Sequence, residues 1–126
     1  MIGYSVKINN ASKELSKKEK VMLKDTSDAV KLDEAIQGES IIINPDYFVV
    51  LSVHNEKSDN VDYENYLIVD KDGTKYVTGS ESFWTTFTGI YDEMTDGGDT
   101  EEWALKCYKL DSKNYKGKQF LACSVI

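Results

Sequence analysis

A chain of 126 residues, 40% hydrophobic and 29% charged, is long enough to bury about two thirds of its unfolded surface without a disulfide staple. Its formal charge of -7 repels a polyanion at long range, so any nucleic-acid site has to be a local patch acting within a Debye length of about 8 Å. No apolar run approaches the roughly 20 residues of a membrane span, and the polar opening Met1-Ile2-Gly3-Tyr4-Ser5-Val6-Lys7 lacks the apolar stretch of a signal peptide. Together these predict a cytoplasmic protein with no membrane partner.

The first forty residues balance seven lysines against seven carboxylates. Val6 to Ile8 reads as a short strand, Asn10-Ala11-Ser12 as a helix start, and Lys13 to Lys24 as a polar, lysine-rich helical stretch whose solvated face could touch a polyanion. A second helix is expected from Ser27 to Ile36, with Ala29, Val30, Leu32, Ala35 and Ile36 on its apolar side and Gly38 as the stop.

Strand signals dominate after that. Ile41 to Asn44 and Tyr47 to His54 are rich in β-branched and aromatic residues, and Pro45 marks a break or edge between them. Asn65 to Val69 and Thr74 to Thr78 flank Asp70-Lys71-Asp72-Gly73, where the Asp-Gly pair predicts a tight hairpin turn. The same residues do not make a calcium loop of the EF-hand kind. Placing Asp72 and Gly73 at its fifth and sixth positions puts Ile68 at the first and Gly79 at the twelfth, where carboxylates are needed.

A well-marked helix follows near residues 81–94. Ser80 can cap it, Glu81 places a carboxylate in its first turn, and Phe83, Phe87, Ile90, Tyr91 and Met94 recur along one helical face, which reads as core packing. Thr95 to Thr100 reads as a loop. Trp103 to Leu110 and Gln119 to Ile126 then form a hairpin, with Trp103, Leu105 and Cys107 on one face of the first strand and Leu121, Cys123 and Val125 on one face of the second. Cys107 and Cys123 are equidistant from Tyr115, so symmetric pairing sets them opposite each other as two buried thiols.

Charge separates this hairpin from the rest of the chain. Residues 41–102 hold three lysines against fourteen carboxylates, whereas residues 103–126 hold five against one. Those five, Lys106, Lys109, Lys113, Lys116 and Lys118, alternate with the rings of Tyr108, Tyr115 and Phe120. Ammonium groups neutralise phosphates at any sequence, and an exposed ring stacks on any base, so these eight residues are the candidate site for a single strand of nucleic acid. The chain has no arginine, which disfavours bidentate reading of guanine edges and leaves lysine contacts to phosphate as the natural mode.

Other chemistries find little support. Two cysteines and one histidine, widely spaced, match no zinc motif, and no cofactor is expected. There is no glycine-rich phosphate loop, no Gly-x-Ser-x-Gly elbow and no histidine pair, so the chain reads as non-enzymatic.

The segment from Tyr66 through Asp70-Lys71-Asp72-Gly73 to Trp84, followed by a helix and the closing Ser112, Asn114, Gly117, Phe120 and Cys123, resembles small phage proteins that bind single-stranded DNA. The likeness covers roughly residues 47–126. It implies an OB-like five-stranded barrel carrying one helix, a role in phage DNA replication or recombination, and an acidic surface that could recruit replication or repair proteins. Lys75 and Tyr76 lie within the resembling stretch and join the candidate DNA-binding residues. The expected architecture is therefore mostly β, a β-rich α+β domain spanning residues 1–126, with 1–40 as a partly helical extension and 41–126 as a barrel-like core. The alternative function is an acidic phage interaction protein that imitates DNA and inhibits a host defence or repair enzyme.

Overall fold

The computed structural model describes residues 3–98, 101–113 and 116–126. In chain order the elements are β1 (Tyr4–Ala11), α1 (Lys17–Lys24), β2 (Val30–Lys31), α2 (Leu32–Ala35), β3 (Ile41–Ile43), β4 (Pro45–Asn55), β5 (Asp62–Asp70), β6 (Lys75–Thr78), α3 (Glu81–Thr95), β7 (Leu105–Asp111) and β8 (Gln119–Val125). The protein is a β-rich α+β structure, as its strand signals predict. Its strands form two sheets, β1-β4-β5-β6-β2 and β3-β7-β8, and no closed barrel is formed among the described residues. The chain divides into two compact units, Met1–Lys31 with Asp46–Gly79, and Leu32–Pro45 with Ser80–Ile126.

The first unit holds the five-stranded sheet. Leu23, Tyr47, Val49, Leu51, Leu67, Val69 and Val77 make its buried cluster, with Val6, Ile8, Ala11, Leu15 and Ala29 packed against it. In β4 and β5 the intervening residues Phe48, Val50, Tyr66 and Ile68 are also buried, which explains why these strands read as continuous apolar runs rather than as alternations. Pro45 stands at the first position of β4, where its missing amide costs the ladder least. The β5–β6 turn matches its sequence signature: Gly73 adopts φ 93°, and its amide reaches the Asp70 carbonyl at 2.8 Å.

The first forty residues differ from expectation. They supply β1 and β2 to the sheet and so are not an extension beside it. β1 runs well beyond Val6–Ile8 because it pairs antiparallel with β4, and the register slips between Ile8 and Asn10. That bulge sets two residues against one and brings Ala11 back to the face used by Val6 and Ile8. Asn10 and Ala11 are therefore strand, and the Ser12 hydroxyl accepts from the Phe48 amide at 2.9 Å. The helix starts instead at Ser16, whose capping box with Glu19 is complete. The expected helix over Ser27–Ile36 is likewise replaced: Val30 and Lys31 pair in parallel with Tyr76 and Val77, and only Leu32–Ala35 is helical. Pairing with a strand more than forty residues away overrides local propensity here.

The second unit holds the three-stranded sheet and α3. The Ser80 hydroxyl caps α3 by accepting from the Phe83 amide, and Phe83, Trp84 and Phe87 are buried. A chain of rings continues the packing: Trp84 to Phe87 at 5.0 Å, Phe87 to Tyr91 at 5.8 Å and Tyr91 to Trp103 at 6.2 Å between centroids. Gly97 (φ 75°) turns the chain out of the helix within a short 3-10 segment, Asp96–Gly98. No helix among the described residues is long and apolar enough to cross a membrane.

Candidate nucleic-acid interface

The β7–β8 hairpin is set by alternation. Leu105 pairs with Val125, Cys107 with Cys123 and Lys109 with Leu121, without a register break, and β3 pairs along the other side of β7, with Ile43 opposite Leu105. Ile43, Leu105, Cys107, Leu121 and Cys123 form the buried inner face. The two cysteines face each other as free thiols. Burial pushes the Cys107 thiol up to about 12, aided by its neighbour, and the Cys123 thiol up to about 11; both are poor nucleophiles near neutral pH.

Because the odd positions face inward, the even ones form the outer face. Ile42 pairs with Lys106, Lys106 with Ser124, Tyr108 with Ala122 and Leu110 with Phe120. Lys106 and Phe120 are exposed and Tyr108 is half-buried. The Lys106 ammonium lies 5.9 Å from the centre of the Tyr108 ring. Ile42, Leu110 and Phe120 are each close to half exposed, at 46%, 45% and 46%. The result is an apolar and aromatic surface edged by a cation. A flexible strand of nucleic acid can use such a surface, with bases lying on rings and phosphates reaching ammonium groups.

The connecting loop adds further charge. Lys113, Lys116 and Lys118 are all exposed, and Gly117 takes a positive φ of 80°. The loop is closed at its base by the Ser112 amide on the Lys118 carbonyl at 2.9 Å. Asp111 is turned to local use, accepting from the Gln119 side-chain amide at 3.1 Å. Tyr115 and Asn114, which occupy the tip in sequence, lie outside the described residues.

Three of the expected residues fall elsewhere. Lys109 occupies an odd position on β7, and its ammonium donates to the Asp33 carbonyl at 2.6 Å; it serves to anchor α2 and does not join the outer face. Lys75 and Tyr76 belong to β6, in the first unit. The Lys75 ammonium donates to the carbonyls of Met22 and Asp25 at 3.1 and 2.9 Å and meets the Asp28 carboxylate at 2.7 Å. With its side chain only 13% exposed, it clamps the last turn of α1 and the segment after it, with no donor direction left toward a phosphate. Conversely, Ile42 and Leu110 share the outer face without having been singled out from sequence. For Leu110 the signal was present in the parity of Leu105 and Cys107, whereas Ile42 is placed there by a pairing that no local pattern announces.

The acidic residues form surfaces of their own. Asp92, Glu93 and Asp96 line a shallow open concavity on α3 with Gly89 and Thr95. In the first unit, His54 sits between two carboxylates, with Nδ1 2.7 Å from Asp62 and Nε2 3.8 Å from Glu56. The hydrogen bond that its Nδ1 donates to the Asp62 carboxylate raises its pKa above the ordinary 6.5. Among the described residues no group of three or more His, Cys, Asp or Glu is arranged to hold a metal ion. Comparison of the chain with protein-family models, with curated proteins and with solved structures finds no match.

Proposed function

We propose that this protein is a non-enzymatic, sequence-independent binder of single-stranded DNA, holding the strand on the outer face of its three-stranded sheet and on the lysine loop beside it. The observation that carries the reading is the gathering of Lys106, Tyr108 and Phe120 on one exposed sheet face, continued by the exposed lysines at 113, 116 and 118. Rings supply sequence-tolerant stacking and lysines supply phosphate neutralisation. The likeness to phage single-strand binders points the same way, and a role in phage DNA replication or recombination is part of the proposal. An OB-like kinship belongs to this proposal too. Its support is the presence of a five-stranded sheet, although that sheet is open and the site argued here lies on the other one.

Titration of fluorescently labelled oligothymidylate tests the proposal. Binding through four lysines predicts a log–log salt slope of roughly -3, since each phosphate neutralised on a single strand contributes about -0.7. Weaker binding to duplex is expected, because paired bases offer no free face for stacking. No binding at about 50 mM salt would overturn the proposal.

A second reading is favoured by the concavity on α3, where Asp92, Glu93 and Asp96 converge. There the acidic surface would hold a basic protein, either a replication or repair partner of the binder or, with no DNA bound at all, a host defence or repair enzyme whose DNA it imitates. Charge reversal at these three residues would remove the protein partner in both cases, and the oligothymidylate titration separates them: the parent binds in the first case and does not in the second.

A further inference from the structure

Cys107 and Cys123 are the only thiols of the chain, and binding a single strand gives them no part. They stand opposite each other on β7 and β8, and the backbone ladder decides how close they come. Ala104 and Ile126 exchange both backbone hydrogen bonds, at 3.0 and 2.9 Å, and farther along the Ser112 amide bonds the Lys118 carbonyl. In an antiparallel ladder such hydrogen-bonded pairs recur at every second position, so Lys106 with Ser124, Tyr108 with Ala122 and Leu110 with Phe120 are of that kind. Cys107 and Cys123 therefore form a non-hydrogen-bonded pair. There the α-carbons approach to about 4.5 Å and side chains on one face come closest.

That separation lies within the roughly 4.4 to 6.8 Å that a disulfide spans, so a bond can form without parting the strands. The surroundings also favour a partner inside the chain. Cys107 is 0% and Cys123 7% exposed, with Ile41 of β3 opposite Cys107 on its other side and α3 packed along β8. A thiol of another protein has no approach to either sulfur. A molecule as small as a peroxide needs only a brief opening of β8, which lies at the sheet edge.

The geometry points to a reversible modification site: a disulfide between Cys107 and Cys123, formed by a peroxide, that staples β7 to β8. The thiolate of Cys123, the more exposed of the two, attacks one peroxide oxygen and breaks the O–O bond, leaving a sulfenic acid and a hydroxide that takes up the proton the thiol had lost. Cys107 then attacks the Cys123 sulfur, and the sulfenic oxygen leaves as water with the Cys107 proton. Two thiols are oxidised by two electrons in all, and one hydrogen peroxide becomes two waters. Because burial raises both thiols, to about 11 at Cys123 and about 12 at Cys107, the first step is slow near neutral pH and quickens as pH rises. The site thus responds to sustained oxidation and passes over brief exposure. Both sulfurs lie on the inner face, so the bond leaves the outer face in place while closing a loop over residues 108–122. It stands independently of the DNA-binding reading. Where both hold, oxidation fixes the hairpin that carries Lys106, Tyr108 and Phe120.

The test is treatment of the folded parent with low-millimolar hydrogen peroxide, followed by alkylation in denaturant, digestion and mass spectrometry. The peptides carrying Cys107 and Cys123 are expected to be joined, within a chain that stays monomeric, and neither cysteine should take up the alkylating agent. At a fixed denaturant concentration the unfolding equilibrium constant should fall at least about tenfold, and dithiothreitol should restore the parent value. Cys107→Ala and Cys123→Ala should gain no stability on treatment; should neither fold, the dithiothreitol reversal in the parent decides, since that reagent leaves oxidised methionine unchanged. Two free thiols in the folded protein under conditions that oxidise the unfolded chain would overturn the inference. So would sulfinic acid or cross-linked chains in place of the internal bond, or an internal bond that leaves the unfolding equilibrium where it was.

Discussion

The β5–β6 and β7–β8 hairpins both join lysine, tyrosine and a positive-φ glycine near a turn: Lys75, Tyr76 and Gly73 in one, Lys106, Tyr108 and Gly117 in the other. In the first, the ammonium is sequestered by Met22, Asp25 and Asp28, and the turn carboxylates bind backbone amides, Asp70 that of Asp72 and Asp72 that of Thr74. In the second, the lysine stands exposed beside a ring and the loop brings further exposed lysines. A lysine next to an aromatic residue is thus not by itself a binding element. What decides is whether the fold has already committed its donors.

Reversing charge in the β7–β8 loop should have the largest effect on function. The triple substitution Lys113→Glu, Lys116→Glu and Lys118→Glu is expected to abolish oligothymidylate binding at about 50 mM salt, while the thermal unfolding midpoint stays near that of the parent, because all three side chains are exposed. Retained affinity in this variant would erase the distinction between the hairpins.

Lys75→Ala should behave in the opposite way. It leaves two carbonyls and a carboxylate without their donor, and a loss of about 1 to 3 kcal/mol in folding stability is expected from denaturant unfolding, with DNA affinity unchanged. Next in size, Phe120→Ala should weaken binding by about 1 to 3 kcal/mol without altering the salt slope, since a ring contributes stacking and no charge.

The smallest effect serves as a control on location. Because Asp62 raises the pKa of His54, the stabilisation from that pair is fully present below about pH 6.5 and is lost as pH rises through the higher folded value. An NMR titration of the imidazole should show the raised value, and Asp62→Asn should bring it down. Oligothymidylate affinity should be flat across the same window; an affinity that tracks this titration would move the site to the first unit.

Much of the second unit is legible in sequence because its contacts are local. The α3 stripe announces Phe83 and Phe87, and the equal distance of Cys107 and Cys123 from Tyr115 announces their pairing. The first unit is less legible because its decisive contacts are distant. Nothing near Val30 and Lys31 signals a parallel partner at Tyr76 and Val77. Asn9 and Asn10 break the alternation of β1, so its length emerges only from pairing with β4. The fate of Lys75 was hidden for the same reason, since two of its partners are backbone carbonyls some fifty residues earlier. For the candidate interface, residue types were readable, but the division between outer-face Lys106 and inward-placed Lys109 required the strand parity and the position of Asp33.

The most direct test of the account is an NMR map of amide shifts during titration with oligothymidylate. The account predicts that perturbations concentrate at Lys106, Tyr108, Leu110, Phe120 and the loop between them, and leave Lys75 and Tyr76 still. Shifts centred on the β5–β6 hairpin or on α1, or no shifts at saturating DNA, would contradict it.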